Sequence, residues 1–245
     1  ADAEKAVNAY NTLKDNGMKV FIGTVTTGAC LSVVSQTKAD NMFQITPSAS
    51  AAKVIANDNC FQVCFTDPNQ GTASADYIAS KGLATKVAVI YNSSDAYSSG
   101  IYDNFKAEAA AKGLDLVASE AFTGDSKQDF SSQLSKIKAS GAELIFLPIY
   151  YQEASLILSQ AKNAGITAKF FGCDGLDGLL NIENFDKSLA ENVMLLTPFA
   201  ANATDETTKK FVTAYNAKYD PSTLNQFAAD AYDAVYVVKA AAEKA

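Results

Sequence analysis

The sequence predicts an α/β protein with parallel sheets flanked by helices. Three observations carry that expectation. Short apolar runs alternate with segments of helical periodicity along most of the chain. The first two runs each end in a small, hydroxyl-rich stretch, Thr26-Thr27-Gly28-Ala29 and Thr46-Pro47-Ser48-Ala49-Ser50. The chain has 245 residues and is 48% hydrophobic, enough to bury a sizeable core in one large or two modest domains.

The chain opens in a helix. Ala3, Ala6, Val7, Tyr10 and Leu13 recur at helical spacing, and Asn16-Gly17 ends the run. Val20 to Val25 reads as a strand. A helical segment carrying Leu31, Val34 and Ala39 follows, then a second strand, Met42 to Ile45. A helix is expected from about Ala51, which Ser48 or Ser50 would cap. Asp67-Pro68-Asn69-Gln70-Gly71 is a turn leading into a helix that ends near Lys81-Gly82. Only two strands are read before that turn, a poor sheet by itself.

Beyond it a βα rhythm sets in. The runs Val87 to Tyr91, Leu114 to Phe122, Leu144 to Ile149, Lys169 to Phe171 and Val193 to Leu196 predict five strands of one mainly parallel sheet. The clearest intervening helix is Ser126 to Ala139, with Phe130, Leu134 and Ile137 on one stripe and Gly141 just past its end. Two helices close the chain, roughly Asp205 to Tyr219 and Ser222 to Lys244, split by Asp220-Pro221.

Composition restricts function. Net charge is −7, and there is no basic patch to suit a nucleic acid. All 20 basic residues are lysines, and histidine is absent. Imidazole general bases, Ser-His triads and His-ligated zinc are therefore excluded. Without arginine, a bound carboxylate falls to hydroxyls, backbone N–H groups or Lys. No window approaches the apolar length of a membrane span. Cys30, Cys60, Cys64 and Cys173 match no zinc signature. They read as buried or half-buried thiols, with one disulfide open to them in an oxidising compartment; Cys60 and Cys64 on an extended strand are too far apart to bridge.

In open α/β sheets, ligands bind outside the carboxyl ends of the strands. The loop at Thr27 also opens a helix, whose first N–H groups attract an anion. The two hydroxyl-bearing loops are thus suited to a small carboxylate held by neutral groups. Each residue has a plainer reading: Thr27 and Gly28 as N-cap and turn, Ser48 and Ser50 as caps, Asp174 as a turn residue between glycines.

The segments IGTVTTGACLSVVSQ, FQITPSAS, CFQVCFTDPNQGTASADYIA, KVAVIYNSSDAYSSG, FFGCDGL and FAADAYDAVYVVKAA follow one another in an order that resembles the type I periplasmic binding proteins, in the leucine/isoleucine/valine-binding family that feeds ABC transporters. The resemblance implies a two-lobed fold whose lobes, joined by a hinge, close on a small ligand. It implies a first lobe at 1–66, a second at 67–197 and returning first-lobe helices at 198–245. It also implies an incomplete first lobe, because relatives begin with a further strand–helix–strand stretch and end with more of that lobe. The lone strand edges of such a lobe would invite a strand-sharing dimer.

Carried over residue by residue, the resemblance implies that Thr27 and Gly28, with Ser48 and Ser50, meet the carboxylate of an amino acid. Asp174, in Gly172-Cys173-Asp174-Gly175, would meet its ammonium. Tyr97, in Asp95-Ala96-Tyr97-Ser98, and Tyr150 would wall the side-chain pocket. Gln62 departs from the pattern, since relatives often carry Arg there. The implied protein is an extracytoplasmic solute-binding protein, its signal peptide removed, that delivers an amino acid to an ABC permease. It needs no cofactor and is not an enzyme. The competing reading is a ligand-sensing regulatory or receptor domain of the same fold.

Overall fold

The computed structural model describes residues 2–245; residue 1, where the expected first-lobe span opens, lies outside them. The chain divides into two units. The first comprises residues 2–67, Pro198–Ala214 and Leu224–Ala245; the second comprises Pro68–Thr197 with Tyr215–Thr223.

In the first unit, α1 (Ala3–Asp15) is capped by Asp2, whose carboxylate accepts from the Lys5 N–H at 2.9 Å, and it ends at Asn16. Gly17 then takes φ +88°, a conformation that favours glycine. β1 (Val20–Ile22), α2 (Thr27–Ala39), β2 (Phe43–Thr46) and β3 (Cys60–Gln62) follow. The three strands form one parallel sheet in the order β1-β2-β3, with Phe21 opposite Gln44 and Gln44 opposite Cys60. One short 3-10 helix and further α-helices complete the unit, among them α8 (Gln226–Lys244), which lies against β1 and β2.

Period-two alternation explains the packing. Phe21, Gln44 and Cys60 point to the side covered by α1 and α2, where Phe21 meets Tyr10 edge-on at 5.4 Å and packs with Val33. Cys30 and Val34 of α2 pack with Ala49, Val54 and Cys60. Val20, Ile22 and Phe61, one register step away, remain 37–49% exposed.

The second unit is a five-stranded, wholly parallel sheet: β4 (Lys86–Asn92), β5 (Asp115–Phe122), β6 (Leu144–Leu147), β7 (Lys169–Gly172) and β8 (Val193–Leu195), ordered β5-β4-β6-β7-β8. Both faces are covered. Val87, Val89, Leu144 and Phe146 pack with Ile78 of α3 (Asp67–Ser80) and with Ile101 and Phe105 of α4 (Ala96–Ala111). Ala88, Ile90, Ile145 and Leu147 pack with Leu134 and Ile137 of α5 (Ser131–Ser140) and Ile157 of α6 (Tyr151–Asn163). A strand buried on both faces reads as a continuous apolar run, which is why the central β4 and β6 stand out in the sequence. Helices α3 and α4 touch closely at Gly71. A Cβ there would stand 2.6 Å from the Ile101 carbonyl and 2.7 Å from the Phe105 nitrogen.

Several expectations need correction. The first unit has a third strand before Asp67, β3, where only two were read. Its three residues, Cys60, Phe61 and Gln62, are too few and too mixed in polarity to show a period. β1 stops at Ile22, and Val25 is exposed. The segment after Ala51 is a single 3-10 turn, Ala52–Ile55, capped by neither Ser48 nor Ser50. Helix α5 starts at Ser131, five positions later than expected, because Ser126 turns back to the Thr123 N–H and Asp129 accepts from the Ser131 N–H. The final two helices are shorter: α7 (Glu206–Asn216), and α8, whose start is set by Asn225 accepting from the Ala228 N–H at 3.2 Å.

Candidate functional site

The strand order of the second unit locates its ligand edge. The chain enters at β4, adds β5 on one side, then crosses to β6, β7 and β8 on the other. The order reverses between β4 and β6, and a crevice at the carboxyl ends of strands on either side of such a reversal is where open α/β sheets bind ligands. The first turn of α4, which follows β4, carries Tyr97, the loop after β6 carries Tyr150, and the segment after β7 carries Asp174.

Local structure holds each in place. Asp95 caps α4 by accepting from the Ser98 N–H at 3.1 Å, while the Ser98 hydroxyl accepts from the Asn92 N–H at 2.8 Å. Tyr97 is thereby set on the first turn of α4, 2% exposed. Its ring stacks on Tyr150, the N-cap residue of α6, at 4.8 Å between centroids and 18° between planes. Its hydroxyl donates to Asp174 Oδ1 at 2.6 Å and accepts from the Gly175 N–H at 2.9 Å. The Asp174 N–H donates to Gln70 Oε1 at 3.2 Å. Gly175 is a close approach: a Cβ there would lie 2.6 Å from the Tyr97 hydroxyl and 2.7 Å from the Ile149 carbonyl.

Electrostatics follow from burial. Removal from water pushes the Asp174 carboxyl up to about 6, against the pull of hydrogen bonds from Tyr97, Gln70 and Gly175. Burial, then the neighbouring Asp174, raises the Tyr97 hydroxyl well above its usual value. A carboxylate held in this way accepts hydrogen bonds, and an ammonium would offset the cost of its burial.

In the first unit, the loops after β1 and β2 are tied together. Thr27 Oγ1 accepts from the Ser50 N–H at 3.2 Å. Thr46 links the two loops, donating to the Thr24 carbonyl in the first and accepting from the Ala49 N–H in the second at 3.0 Å. Thr27, Ser48 and Ser50 are buried, and the Ser50 hydroxyl has no hydrogen-bond partner among the described residues. The N-cap of α2 is Thr26, whose side chain makes no capping bond, so the first-turn amides lack the partner that such a cap supplies. A Cβ on Gly28 would meet nothing within 4 Å. This set offers hydroxyls and amide N–H groups and no charged side chain.

The structure therefore brings Thr27 to Ser50 in one unit, and Tyr97 to Asp174 and Tyr150 in the other. Ser48 is buried in the same loop as Ser50. Gln62 turns back on its own strand, donating to the Cys64 carbonyl at 3.1 Å. Sequence reasoning missed Gln70, fully buried against Asp174. Its signal was the turn Asp67-Pro68-Asn69-Gln70-Gly71, read only as punctuation. Among the described residues no cluster suits a metal ion, and no helix is long and apolar enough to cross a membrane.

The family model for periplasmic binding proteins matches residues 1–245. Leu/Ile/Val-binding protein homolog 3 of Brucella melitensis is 32% identical over 247 residues, covering 100% of this chain and 65% of the relative. The leucine-, isoleucine-, valine-, threonine- and alanine-binding protein of Pseudomonas aeruginosa is 28% identical, with the same coverage. The crystal structure of the leucine-binding protein LivK of Thermotoga maritima superposes with a TM-score of 0.90 at 27% identity, over 100% of this chain and 69% of LivK. The branched-chain amino acid transporter substrate-binding protein LivJ of Streptococcus pneumoniae, solved with isoleucine, gives 0.87 at 27% identity, over 100% of this chain and 70% of LivJ. The chain thus spans 65% of the length of these curated relatives. With both units, their parallel sheets and the whole described length matched in this way, the chain belongs to the periplasmic binding protein family, type I, in its leucine/isoleucine/valine-binding group.

Proposed function

We propose that this chain provides the ligand-recognising part of a solute-binding protein for an amino acid, with a small aliphatic or branched-chain side chain. The observation that carries the reading is the buried Asp174 carboxylate, clasped by Tyr97 at 2.6 Å on the ligand edge of the second unit. Asp174 receives the ammonium. Thr27, Ser48, Ser50 and the first-turn amides of α2, including that of Gly28, receive the carboxylate. Tyr97 and Tyr150 border the side chain.

The relatives support this reading: proteins named for leucine, isoleucine and valine binding, and a structure holding isoleucine. The corresponding partner is an ABC permease, and the corresponding location is extracytoplasmic. The protein binds its ligand without covalent chemistry and without a cofactor. A strand-sharing dimer through the β1 edge, where Val20 and Ile22 are exposed, is the further association we propose for the chain by itself.

A thermal-shift screen against the twenty amino acids, followed by calorimetry, tests the function. A ligand at a hundred times its dissociation constant adds about 2.7 kcal/mol. Stabilisation by leucine, isoleucine or valine and not by lysine or glutamate is the expected result. Stabilisation only by a molecule lacking an ammonium group would overturn it.

A further inference from the structure

We propose that Cys30 and Cys60 form a disulfide that staples helix α2 to strand β3. The inference starts from placement. Cys30 lies on the buried face of α2, one turn beyond Thr27, and Cys60 opens β3. They are 0% and 3% exposed and belong to the same packed cluster, with Val34, Ala49 and Val54.

Gln44 of β2 connects them. Its backbone is in register with Cys60, and its side-chain amide reaches Cys30 Sγ at 3.3 Å. The neighbouring Cys60 lowers the Cys30 thiol to about 7, and Cys30, with burial, raises Cys60.

The chemistry balances with an external disulfide as oxidant, either a small-molecule disulfide or the disulfide of a thiol oxidoreductase. The Cys30 thiolate attacks one sulfur of that disulfide and expels a thiolate. Cys60 loses its proton to solvent and attacks Cys30 Sγ in the mixed disulfide, expelling the second thiolate. The protein gives up two electrons and two protons, and the external disulfide is reduced to two thiols. Because both sulfurs are enclosed, exchange takes place while the first unit folds, before the cluster closes. The closed loop of roughly 30 residues contains β2 and the loop with Ser48 and Ser50, so the bond restrains the unfolded chain. It also anchors the helix whose first turn holds Thr27.

The test uses the unaltered chain, refolded either in glutathione disulfide with glutathione or under excess reductant. Free thiols are then alkylated in denaturant, and the product is weighed and proteolysed without reduction. The expected result is two alkylated cysteines, Cys64 and Cys173, and one linked peptide pair containing Cys30 and Cys60. The oxidised form should melt several degrees above the reduced form. Cys64→Ser should keep that difference and Cys60→Ser should abolish it. Four alkylated thiols after oxidative refolding, or a link that maps to Cys64, to Cys173 or to a second chain, would overturn the proposal. The peptide map does not depend on any variant, so misfolding of Cys60→Ser leaves the test intact.

Discussion

The Tyr97 hydroxyl donates to Asp174 Oδ1 at 2.6 Å across 77 residues of sequence, joining the first turn of α4 to the segment after β7. The same oxygen accepts the Gly175 N–H, so a single phenol orients the carboxylate and the backbone beside it. Burial of this pair sets the chemistry of the second unit's ligand edge.

Asp174→Asn should weaken amino-acid binding far more than Asp177→Asn. Removing one partner of a desolvated charge pair costs on the order of 2–5 kcal/mol. Calorimetric titration with leucine or isoleucine measures both variants; equal affinities would remove Asp174 from the ammonium site.

Stability without ligand should depend on pH through Asp174. Its carboxyl, at about 6 in the folded state, lies above the usual value of 3.8. The folded state therefore holds a proton that the unfolded chain has released across that interval. The contribution is full below about 3.8 and is lost as pH rises to about 6 and beyond, by on the order of 3 kcal/mol. Denaturant titrations of the parent and Asp174→Asn at pH 4 and pH 7 isolate it. The variant should gain on the parent as pH rises, and a constant difference would count against the prediction.

Gly175→Ala should destabilise the second unit by about 1–3 kcal/mol, the usual cost of forcing an atom into packed surroundings. The added Cβ would press on the Tyr97 hydroxyl and on the Ile149 carbonyl, a backbone atom that has little room to yield. Urea unfolding measures the loss. Unchanged stability would show that the Tyr97–Asp174 contact is slack.

Gly28→Ala separates stability from binding. Its Cβ would enter open space in the first turn of α2, so unfolding free energy should change by less than about 0.5 kcal/mol. Affinity for the amino acid should fall, because the backbone at this position is proposed to touch the carboxylate. A variant with the parent's affinity would take Gly28 out of the site.

The sequence by itself determined the second unit's central strands, since residues buried on both faces leave unbroken apolar runs such as Val87 to Tyr91. It also displayed the hydroxyl loops at Thr27 and Ser48-Ala49-Ser50, because small polar residues between apolar runs are a local signal. Only the tertiary structure decided the rest. β3 has three residues and exists because β2 offers it a register, not because Cys60-Phe61-Gln62 favours extension. The place of Gln70 beside Asp174 spans 104 residues, and that of Cys30 beside Cys60 spans a helix and a strand. Such pairings depend on how sheets are ordered and covered. Periodicity reports which way a side chain faces within its own element; what it meets there is set by packing between elements distant in sequence.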